Sequence, residues 1–467
     1  MQVLLIMSSP NRYPIHGEIQ PLGVVSLASY LRSRGHTVQL VHQLYPQNPS
    51  DDYLVKLAGD YDVVGFSTYT TNIERSLTTA RRMKTVLGNR ITTIFGGPFS
   101  TGWPELEIES TVDYVVLGEG EHTTAELLEC IETNGSPTHV KGIAFSAGHF
   151  IRTELRPRIQ DLDSLPFPEL NELPQEEYTL PGFSAIMQAE PAQMFTSLTS
   201  RGCPHNCSFC VPELMWNNQW IGRSVDHVME EIEFRWKSGR RVAGWLDQDI
   251  NIDQNRARSL YEAMIRSPYR IRWFGETSPA SASNGLLARM QQSGCVGLLF
   301  GVESGSETMQ KRIGKHTNLN RFREIARRMV KLDMLCVFSF IIGLPWEDRQ
   351  TLKETRRYLR TLPVGMASFA YAEPYPGTPL WDIGLKEGWI TRDLSIYNRS
   401  ITSPVMPTYS LSKKDLEKMQ WRLAISYLLS PGFLGGMLLK FLRRPLSTAR
   451  FILALFFTAR KTMPHDQ

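Results

Sequence analysis

The sequence predicts an α/β protein with two units in series and a helical tail. Short apolar runs alternate with amphipathic segments over residues 1–150, which is typical of a doubly wound, Rossmann-like domain. A second series of strand–helix units over 196–390 predicts a partial (β/α)6 barrel. A proline-rich stretch over 151–195 is expected to be a surface linker, and residues 391–467 a helical C-terminal region.

Composition and charge are those of an ordinary globular protein. The 467 residues are 42% hydrophobic, and a formal net charge of +4 is too small to indicate a nucleic-acid partner. Three of the six cysteines lie in one loop, and Cys130, Cys295 and Cys336 fall in apolar runs as expected core residues. This pattern does not resemble a disulfide framework, so we expect the protein to be located in the reducing cytoplasm. The stretch Met1–Met7 lacks a basic region and predicts a strand rather than a signal peptide.

The first domain is predicted from five apolar runs that alternate with helical segments. Strands are expected at Val3–Met7, Val38–Val41, Asp62–Ser67, Ile91–Phe95 and Tyr114–Leu117, and helices at Pro21–Arg34, Leu54–Ala58, Ile73–Leu87 and Thr123–Thr133. Ligands of such sheets bind outside the carboxyl ends of the strands, where glycines let a flat ligand approach the backbone. The candidate binding residues at these ends are Ser67, Gly96, Gly97, Gly118, Glu119 and Gly120.

A loop of three cysteines follows the linker. Cys203, Cys207 and Cys210 are spaced C-x3-C-x2-C. Three thiolates on a [4Fe–4S] cube leave one iron open to bind and activate a substrate or cofactor. A zinc site completed by a distant ligand such as His205 or His227 is an alternative, as is a set of buried thiols.

The barrel is predicted from apolar strands that each end in polar or glycine-rich residues. After the run Phe195–Leu198, strands are expected at Val242–Leu246, Ile271–Glu276, Val296–Val302, Leu335–Ile342 and Met366–Ala372. The intervening helices are expected at Val225–Ser238, Asn255–Arg266, Leu286–Ser293, Leu319–Leu332 and Thr351–Leu362. In α/β barrels the active site lies at the carboxyl ends of the strands. The segments at those ends include Asp247-Gln248-Asp249, Glu276 and Glu303.

The cysteine spacing resembles that of the radical S-adenosylmethionine (SAM) superfamily. The resemblance implies that Cys203, Cys207 and Cys210 hold a [4Fe–4S] cluster whose open iron chelates SAM. It also implies that the reduced cluster cleaves SAM to a 5′-deoxyadenosyl radical, with electrons from an external flavodoxin- or ferredoxin-type donor.

Further residues match positions near SAM in that superfamily. Phe209 matches an aromatic position near the adenine, and Glu303 an acidic position near the ribose or amino group. Asp247 or Asp249 could receive the SAM ammonium. Each carboxylate has the alternative interpretation of a helix cap or a solvated loop residue. Related proteins often have Thr-Arg after the third strand. The segment Glu276-Thr277-Ser278-Pro279 stands here instead, without the arginine, and Glu276 could face substrate.

The N-terminal domain resembles the cobalamin-binding domain that precedes many radical SAM domains. The parallels are Pro21–Gly23, the Gly96-Gly97-Pro98 turn and the segment Leu117–Glu121. The chain has no Asp-x-His-x-x-Gly sequence, so no histidine is positioned as a lower cobalt ligand of the methionine-synthase type. Phe99 stands where related enzymes often have histidine, which could alter the corrin pocket.

The residues of this domain allow two other interpretations. A Rossmann-like domain without a corrin stays open. A nicotinamide site is disfavoured because no G-x-G-x-x-G follows the first strand.

The tail is apolar and basic. The runs Phe433–Leu442 and Ala449–Phe457 are too short to span a bilayer, which takes roughly 20 residues. They are expected either to pack over the barrel mouth or to contact a membrane surface peripherally. The flanking basic residues are Arg443, Arg444, Arg450, Arg460 and Lys461.

Together, the resemblances imply a cobalamin-dependent radical SAM methyltransferase acting on an unactivated carbon, or on phosphorus, of a small-molecule or lipid-like substrate. Such a carbon has no lone pair, so a radical must first remove hydrogen before methylcobalamin supplies the methyl group. An oxidative cyclase, a ring contraction or a rearrangement is the alternative reaction. A non-catalytic metal or corrin sensor is the alternative class. No residue identifies the substrate.

Overall fold

The computed structural model describes residues 1–8, 20–43, 49–109, 112–173, 187, 189–394 and 403–443. Within these ranges the chain forms two units, each built on its own large sheet. Residues 9–12 and the predicted apolar run Ala449–Phe457 lie outside the described residues, as do Arg444, Arg450, Arg460 and Lys461.

The first unit is a seven-stranded sheet in the order β2-β1-β3-β4-β5-β6-β7. Its strands are β1 (Gln2–Met7), β2 (Thr37–His42), β3 (Val63–Ser67), β4 (Thr92–Gly96), β5 (Tyr114–Val116), β6 (Ile143–Ser146) and β7 (Phe150–Arg152). Its helices are α1 (Leu22–Ser33), α2 (Asp51–Ala58), α3 (Ile73–Leu87), α4 (Pro98–Gly102), α5 (Pro104–Glu109) and α6 (Gly120–Glu132).

Helices cover both faces of this sheet. Leu4 and Ile6 of β1 share a core with α2 and α3, while Val3 and Leu5 share another with α1 and α6. A parallel strand buried on both faces must be apolar at successive positions, which explains the uninterrupted run in β1. The predicted doubly wound fold is therefore confirmed.

Strands β6 and β7 are absent from the sequence-based prediction. They pair antiparallel with β5 and with each other at the sheet edge. The two strands have only four and three residues, which is too short for a periodic pattern in the sequence. They are recognised only by their pairing at the sheet edge. Because β7 ends at Arg152, the first sheet extends slightly past the expected boundary at residue 150.

The second unit is a six-stranded sheet in the order β15-β14-β13-β12-β11-β8, with every neighbouring pair parallel. Its strands are β8 (Met194–Ser197), β11 (Val242–Trp245), β12 (Arg272–Thr277), β13 (Cys295–Glu303), β14 (Leu335–Ile342) and β15 (Met366–Tyr371); β9 (Ser200–Arg201) and β10 (Ile221–Gly222) form a separate two-stranded pair. Because β8 and β15 are edges, the sheet is open, as predicted for a partial barrel.

The remaining helices follow the barrel strands and form the tail. They are α7 (Pro212–Trp216), α8 (Val225–Lys237), α9 (Gln254–Arg266), α10 (Asn284–Gln292), α11 (Glu307–Arg312), α12 (Leu319–Lys331), α13 (Arg349–Leu359), α14 (Pro379–Lys386), α15 (Lys413–Leu428) and α16 (Pro431–Arg443). Side-chain caps set the start of many of them: Ser224, Asp253, Ser283, Asn318 and Asp348 each accept a backbone N–H of the first turn.

The linker does more than follow the surface. Leu170 and Leu173 are buried in the barrel core, and Leu162 and Leu165 are buried beside the first unit. Prolines prevent regular structure there, but the leucines between them still anchor the segment by burial. The expected surface linker is wrong in this respect.

Helix α15 is part of the barrel. Leu416, Leu423 and Tyr427 are buried with strand residues, and the Tyr427 hydroxyl donates to the carbonyls of Pro363 (2.9 Å) and Gly365 (3.1 Å). The helix therefore packs directly against the barrel strands. The packing over the barrel mouth that is expected for the runs Phe433–Leu442 and Ala449–Phe457 stays a prediction, because the second run lies outside the described residues.

The opposite side of the tail is apolar and exposed. Ile425 of α15 is 51% exposed and Leu438 of α16 is 61% exposed. No single helix in the described ranges has the length and hydropathy to cross a membrane; α15 and the first part of α16 pass that test only as a pair bent by 44°.

Candidate active site

A cavity of about 720 Å³ lies between the two units. Its walls include Met7 and Ser67 at the carboxyl ends of β1 and β3, and Arg201 and Gln248 from the barrel. The strand order 2-1-3 places the point of reversed winding between β1 and β3, where ligands of such sheets bind. The volume lies in the range of sites for large organic ligands.

All the residues expected to bind a flat ligand line this cavity. These residues are Ser67, Gly96, Gly97, Gly118, Glu119 and Gly120. Gly97 adopts a φ of 114°, and a Cβ there would come within 2.7 Å of the Thr68 carbonyl oxygen. A side chain at this turn is therefore excluded for steric reasons.

The cavity fits a large, largely apolar macrocycle. Much of its wall consists of strand residues such as Val3, Leu5 and Ile94. A Cβ at Gly23 would meet no atom within 4 Å, so a larger residue there would project into the open space. Shape and lining thus agree with a corrin.

Glu119 lies at the cavity wall, but its carboxylate is occupied. It accepts from Arg158 Nε (2.9 Å), from the Ile159 amide (2.9 Å) and from Arg201 Nη1 (3.1 Å). Arg201 also donates to Glu121 at 2.6 Å. All four charged side chains are at most 13% exposed, so the network is a buried clamp between the two units.

Phe99 does not shape the cavity. Its side chain is 2% exposed and packs 6.2 Å from the Trp103 ring, inside the core beside α4 and α5. Phe99 is therefore not among the residues that line the cavity, and the expectation of an altered corrin pocket stays a prediction.

The cysteine loop begins at β9 and is fixed by backbone contacts. Gly202 has a φ of 91° and its amide donates to Gln248 Oε1 at 3.0 Å. The Ser208 amide donates to the Ile313 carbonyl at 3.1 Å. Cys207 is buried, while Cys203 and Cys210 are partly exposed. Backbone contacts thus define the loop without using the three thiols.

Burial raises the pKa of all three thiols, that of Cys210 to about 12. A buried thiolate needs a cation beside it, and a bound metal supplies one. The donor chemistry therefore fits an iron–sulfur cluster held by Cys203, Cys207 and Cys210.

His227, one candidate for a fourth zinc ligand, is engaged elsewhere. Its Nδ1 accepts from Arg223 Nε at 3.1 Å, and its ring stacks on Phe167 at 4.9 Å. Across the described residues, no group of three or more His, Cys, Asp or Glu side chains is arranged to hold a single metal ion.

Glu303 and Lys315 form an ion pair beside the cysteine loop. Lys315 Nζ lies 3.1 Å from Glu303 Oε1, and both side chains are largely buried, at 17% and 8% exposed. Burial by itself would lower the pKa of Lys315, but Glu303 and the Cys207 sulfur raise it overall. Lys315 therefore stays charged and supplies a cation close to the three thiols.

The backbone around this pair is specialised. Register between β13 and β14 shifts at Gly301 and Glu303, and Glu303 adopts a φ of 64°. A Cβ at Gly301 would collide with Glu303 Oε1 and approach Lys315 Nζ at 2.7 Å. Strained backbone of this kind persists where surrounding contacts over-determine it, often at functional sites.

The two aspartates after β11 accept hydrogen bonds from neighbouring residues of the chain. Asp247 is fully buried and accepts from the Thr199 amide (2.9 Å) and hydroxyl (2.7 Å). Asp249 accepts from the Asn251 amide (3.0 Å) and the Thr277 hydroxyl (2.8 Å). These contacts brace the start of the cysteine loop and the end of β12. They support a structural role for both carboxylates, and a contact with the SAM ammonium stays a prediction.

Glu276 lies near the carboxyl end of β12 and is accessible to solvent. Desolvation by the neighbouring protein atoms raises its pKa to about 7, with Lys315 opposing and Glu303 adding to the shift. The carboxylate makes no hydrogen bond to another residue of the described chain. It remains available to a ligand.

Phe209 packs partly buried among residues of both units. Its expected place near an adenine stays a prediction.

Sequence reasoning missed Lys315 and Arg201. Lys315 follows Gly314 in a turn after α11, and nothing in its local pattern separates it from surface lysines. Arg201 stands only two residues before Cys203, which is the one signal that could have identified it.

Two family models match the chain. Residues 12–128 match the B12 binding domain, and residues 197–359 match the radical SAM superfamily.

Curated relatives match along most of the chain. An uncharacterised methyltransferase of Pyrococcus horikoshii is 29% identical over 421 residues, covering 88% of each chain. A cytidylyl-2-hydroxyethylphosphonate methyltransferase of Streptomyces wedmorensis is 25% identical, covering 85% of this chain and 84% of its own. An anaerobic magnesium-protoporphyrin IX monomethyl ester cyclase of Rubrivivax gelatinosus is 26% identical, covering 89% of this chain and 75% of its own.

Solved structures share the fold. The radical SAM methyltransferase TsrM of Kitasatospora setae, with cobalamin and a [4Fe–4S] cluster bound, superposes with a TM-score of 0.66 at 15% identity, covering 83% of this chain and 75% of its own. The cobalamin-dependent radical SAM enzyme OxsB gives 0.69 at 16% identity, covering 98% and 75%.

Proposed function

We propose that this chain, which belongs to the radical SAM superfamily and carries an N-terminal B12-binding domain, is a cobalamin-dependent methyltransferase. Its substrate would be a small molecule methylated at an unactivated carbon or at phosphorus. The observation that carries the proposal is the shared cavity: Arg201, two residues before the first cysteine, lines the same space as the glycine turns of the first sheet.

The residues divide into three groups in this proposal. Cys203, Cys207 and Cys210 hold the [4Fe–4S] cluster. Cobalamin binds at the strand ends of the first sheet, against Ser67, Gly96, Gly97, Gly118 and Gly120. Glu119 connects this binding site to the barrel. The Glu303–Lys315 pair offers a carboxylate and an ammonium, which complement the amino and carboxylate groups of SAM.

When bound, the cluster and SAM supply a radical that removes hydrogen, and methylcobalamin supplies the methyl group. The chain's own task is to bring these groups together and exclude water. Asp247 and Asp249 brace the loop in this scheme, while Glu276, solvent-accessible and without a hydrogen bond to another described residue, faces substrate.

Two expected partners belong to the proposal as well. An external one-electron donor of flavodoxin or ferredoxin type is required to reduce the cluster. Peripheral membrane contact through the tail stays a prediction supported by exposed apolar residues such as Leu438. Sedimentation with phospholipid vesicles checks it, and no binding to any vesicle would contradict it.

Anaerobic reconstitution with iron, sulfide and hydroxocobalamin tests the proposal. Iron–sulfur and corrin absorption bands should appear together, and the loaded protein should cleave SAM to 5′-deoxyadenosine under dithionite. Cys203→Ala should abolish the cluster bands and SAM cleavage while keeping the corrin bands; Cys295→Ala, a buried cysteine outside the loop, is the matched control. A protein that binds only one cofactor, or never cleaves SAM, contradicts the proposal.

The alternative reaction is an oxidative cyclisation or rearrangement, to which the relative named as a cyclase points. Product mass separates the two, because methylation adds one CH2 unit and cyclisation does not.

A further inference from the structure

One outer face of the barrel is strongly basic. Apart from Lys315, which is largely buried and paired with Glu303, residues 307–331 carry seven Lys or Arg and two Glu; this stretch includes α11 and α12. Helix α13 carries four Lys or Arg within residues 349–359 against one Glu. The whole chain has a formal net charge of only +4. The excess of positive charge on this face is therefore balanced by a net negative charge on the rest of the chain.

The basic face adjoins the cysteine loop at the end of α11. The Ile313 carbonyl accepts from the Ser208 amide at 3.1 Å, and a Cβ at Gly314 would lie 2.6 Å from the Asn206 carbonyl oxygen. On the loop side, Pro204, His205 and Asn206 are exposed. The three exposed loop residues therefore lie beside the basic surface, directly between Cys203 and Cys207.

Lys311 and Arg312 form the part of this face nearest the loop. Both are exposed, and neither side chain makes a hydrogen bond within the described part of the chain. Arg312 contributes a small part to the lowered pKa of Asp348, which comes mainly from the capping bond to Thr351. Arg349, 81% exposed, stands next to Asp348 but already pairs with Asp415 at 3.6 Å. Lys311 and Arg312 are therefore the charges available to a partner.

We propose that Lys311 and Arg312, with the exposed loop Pro204–Asn206, form the docking surface for an acidic one-electron carrier protein of flavodoxin or ferredoxin type. This inference rests on the proposed function, which needs such a donor. Docking here places the carrier's redox centre against the loop that holds the cluster. One electron then passes from the carrier, for example from a flavin hydroquinone that becomes the semiquinone, to the oxidised cluster.

Electrostatic complementarity at such a surface affects the association rate and its salt dependence more than it affects raw affinity. An acidic carrier is attracted to the patch over roughly a Debye length, about 8 Å at physiological salt. RNA is the other polyanion that a basic face attracts. The position of the patch beside the cluster loop favours the carrier, because an RNA partner has no need of that proximity.

The test compares two charge-reversal variants of the reconstituted protein. Lys311→Glu with Arg312→Glu removes the proposed surface. Arg357→Glu with Arg360→Glu makes the same charge change at exposed positions near the other end of α13, about 16 Å along the helix from its first turn. The probe is a bacterial flavodoxin.

Two readouts are measured at several salt concentrations. The first is the Kd of flavodoxin for the protein by surface plasmon resonance. The second is the rate of SAM cleavage with reduced flavodoxin and, separately, with dithionite, which needs no docking surface.

We expect Lys311→Glu/Arg312→Glu to weaken flavodoxin binding and flavodoxin-driven cleavage about tenfold at low salt, with the dithionite rate unchanged. The control variant should match the wild type in both readouts. The inference is overturned if flavodoxin binding is unaffected, if the control falls equally, or if duplex RNA binds the patch more tightly than flavodoxin. Loss of dithionite-driven cleavage in the wild type would instead refute the proposed function.

Discussion

Glu303 shows how one residue combines strain, charge and a place beside the cysteines. Its left-handed φ of 64° costs on the order of 1 kcal/mol or more for a non-glycine residue. The ion pair with Lys315 and the glycine at 301, which leaves room for it, hold the conformation in place. A strained carboxylate paired with the cation nearest the thiols is the arrangement expected of a binding site rather than of a packing contact.

Lys315→Met should destabilise the barrel by about 3–5 kcal/mol, because it leaves Glu303 as an unpaired charge in a largely buried position. Denaturant unfolding of the reconstituted protein measures the change. Lys311→Met, an exposed lysine of the same segment, should stay within about 0.5 kcal/mol of the wild type. Equal stability of the two variants would show that the pair contributes nothing.

Glu107 is a buried acid behind the Gly97 turn. Its Oε1 accepts from Ser100 Oγ at 2.9 Å and Thr68 Oγ1 at 3.2 Å, and burial raises its pKa from 4.5 to about 8. The folded protein therefore holds the proton more tightly than the unfolded chain. The stability that this provides is complete below about pH 4.5 and is lost as pH rises through about 8.

Glu107→Gln should remove this pH dependence. From pH 5 to pH 9, the unfolding free energy of the wild type should fall relative to that of the variant by on the order of 4 kcal/mol. Urea unfolding at both values measures it. Glu105→Gln, in the same short helix but half-exposed, is the control. A pH-independent difference would contradict the assignment.

At the scale of elements, α15 completes the barrel even though it follows the last strand by more than forty residues. Its apolar residues divide into two sets. Leu423 is fully buried against the strands, whereas Ile425 is 51% exposed on the other side. The helix is thus a structural part of the barrel with an additional free face.

Leu423→Ala should cost about 2–5 kcal/mol, because it opens a cavity in the barrel core. Ile425→Ala, two residues further along the same helix, should change stability by less than about 1 kcal/mol. Thermal unfolding of both variants measures the contrast. A small effect at Leu423 would mean that α15 docks loosely and is not part of the barrel core.

At the scale of the whole molecule, a buried network of two arginines and two glutamates connects the two units. Arg201 contacts both Glu119 and Glu121. Burial by itself would raise the pKa of Glu121, but the charge of Arg201 lowers it below the usual range. Glu119, Glu121 and Arg201 also line the cavity, so this network forms part of the cavity wall.

Arg201→Gln should weaken hydroxocobalamin binding about tenfold and raise the radius of gyration, because Glu121 loses its ion-pair partner at the domain interface. Absorbance titration and small-angle scattering measure the two effects. Arg152→Gln, an exposed arginine of the first unit, should change neither. Unchanged binding in Arg201→Gln would show that the clamp does not shape the cavity.

The sequence by itself was sufficient for the parallel strands of the two sheets, the cysteine trio and the glycine turns of the cavity. These features depend on local signals: runs such as Val3–Ile6, caps such as Asp348 and the spacing Cys203–Cys210. Each is recognisable because the chemistry or the periodicity lies within a few neighbouring residues.

Only the tertiary structure decided the roles of Asp247, Glu119, Arg201 and Lys315. Their partners are distant in the chain: Glu303 lies 12 residues from Lys315, and Glu121 lies 80 residues from Arg201. A carboxylate at a strand end has the same local pattern whether it holds a loop, clamps a domain or meets a ligand. Packing alone determines which, because it brings distant charges together and removes the water around them.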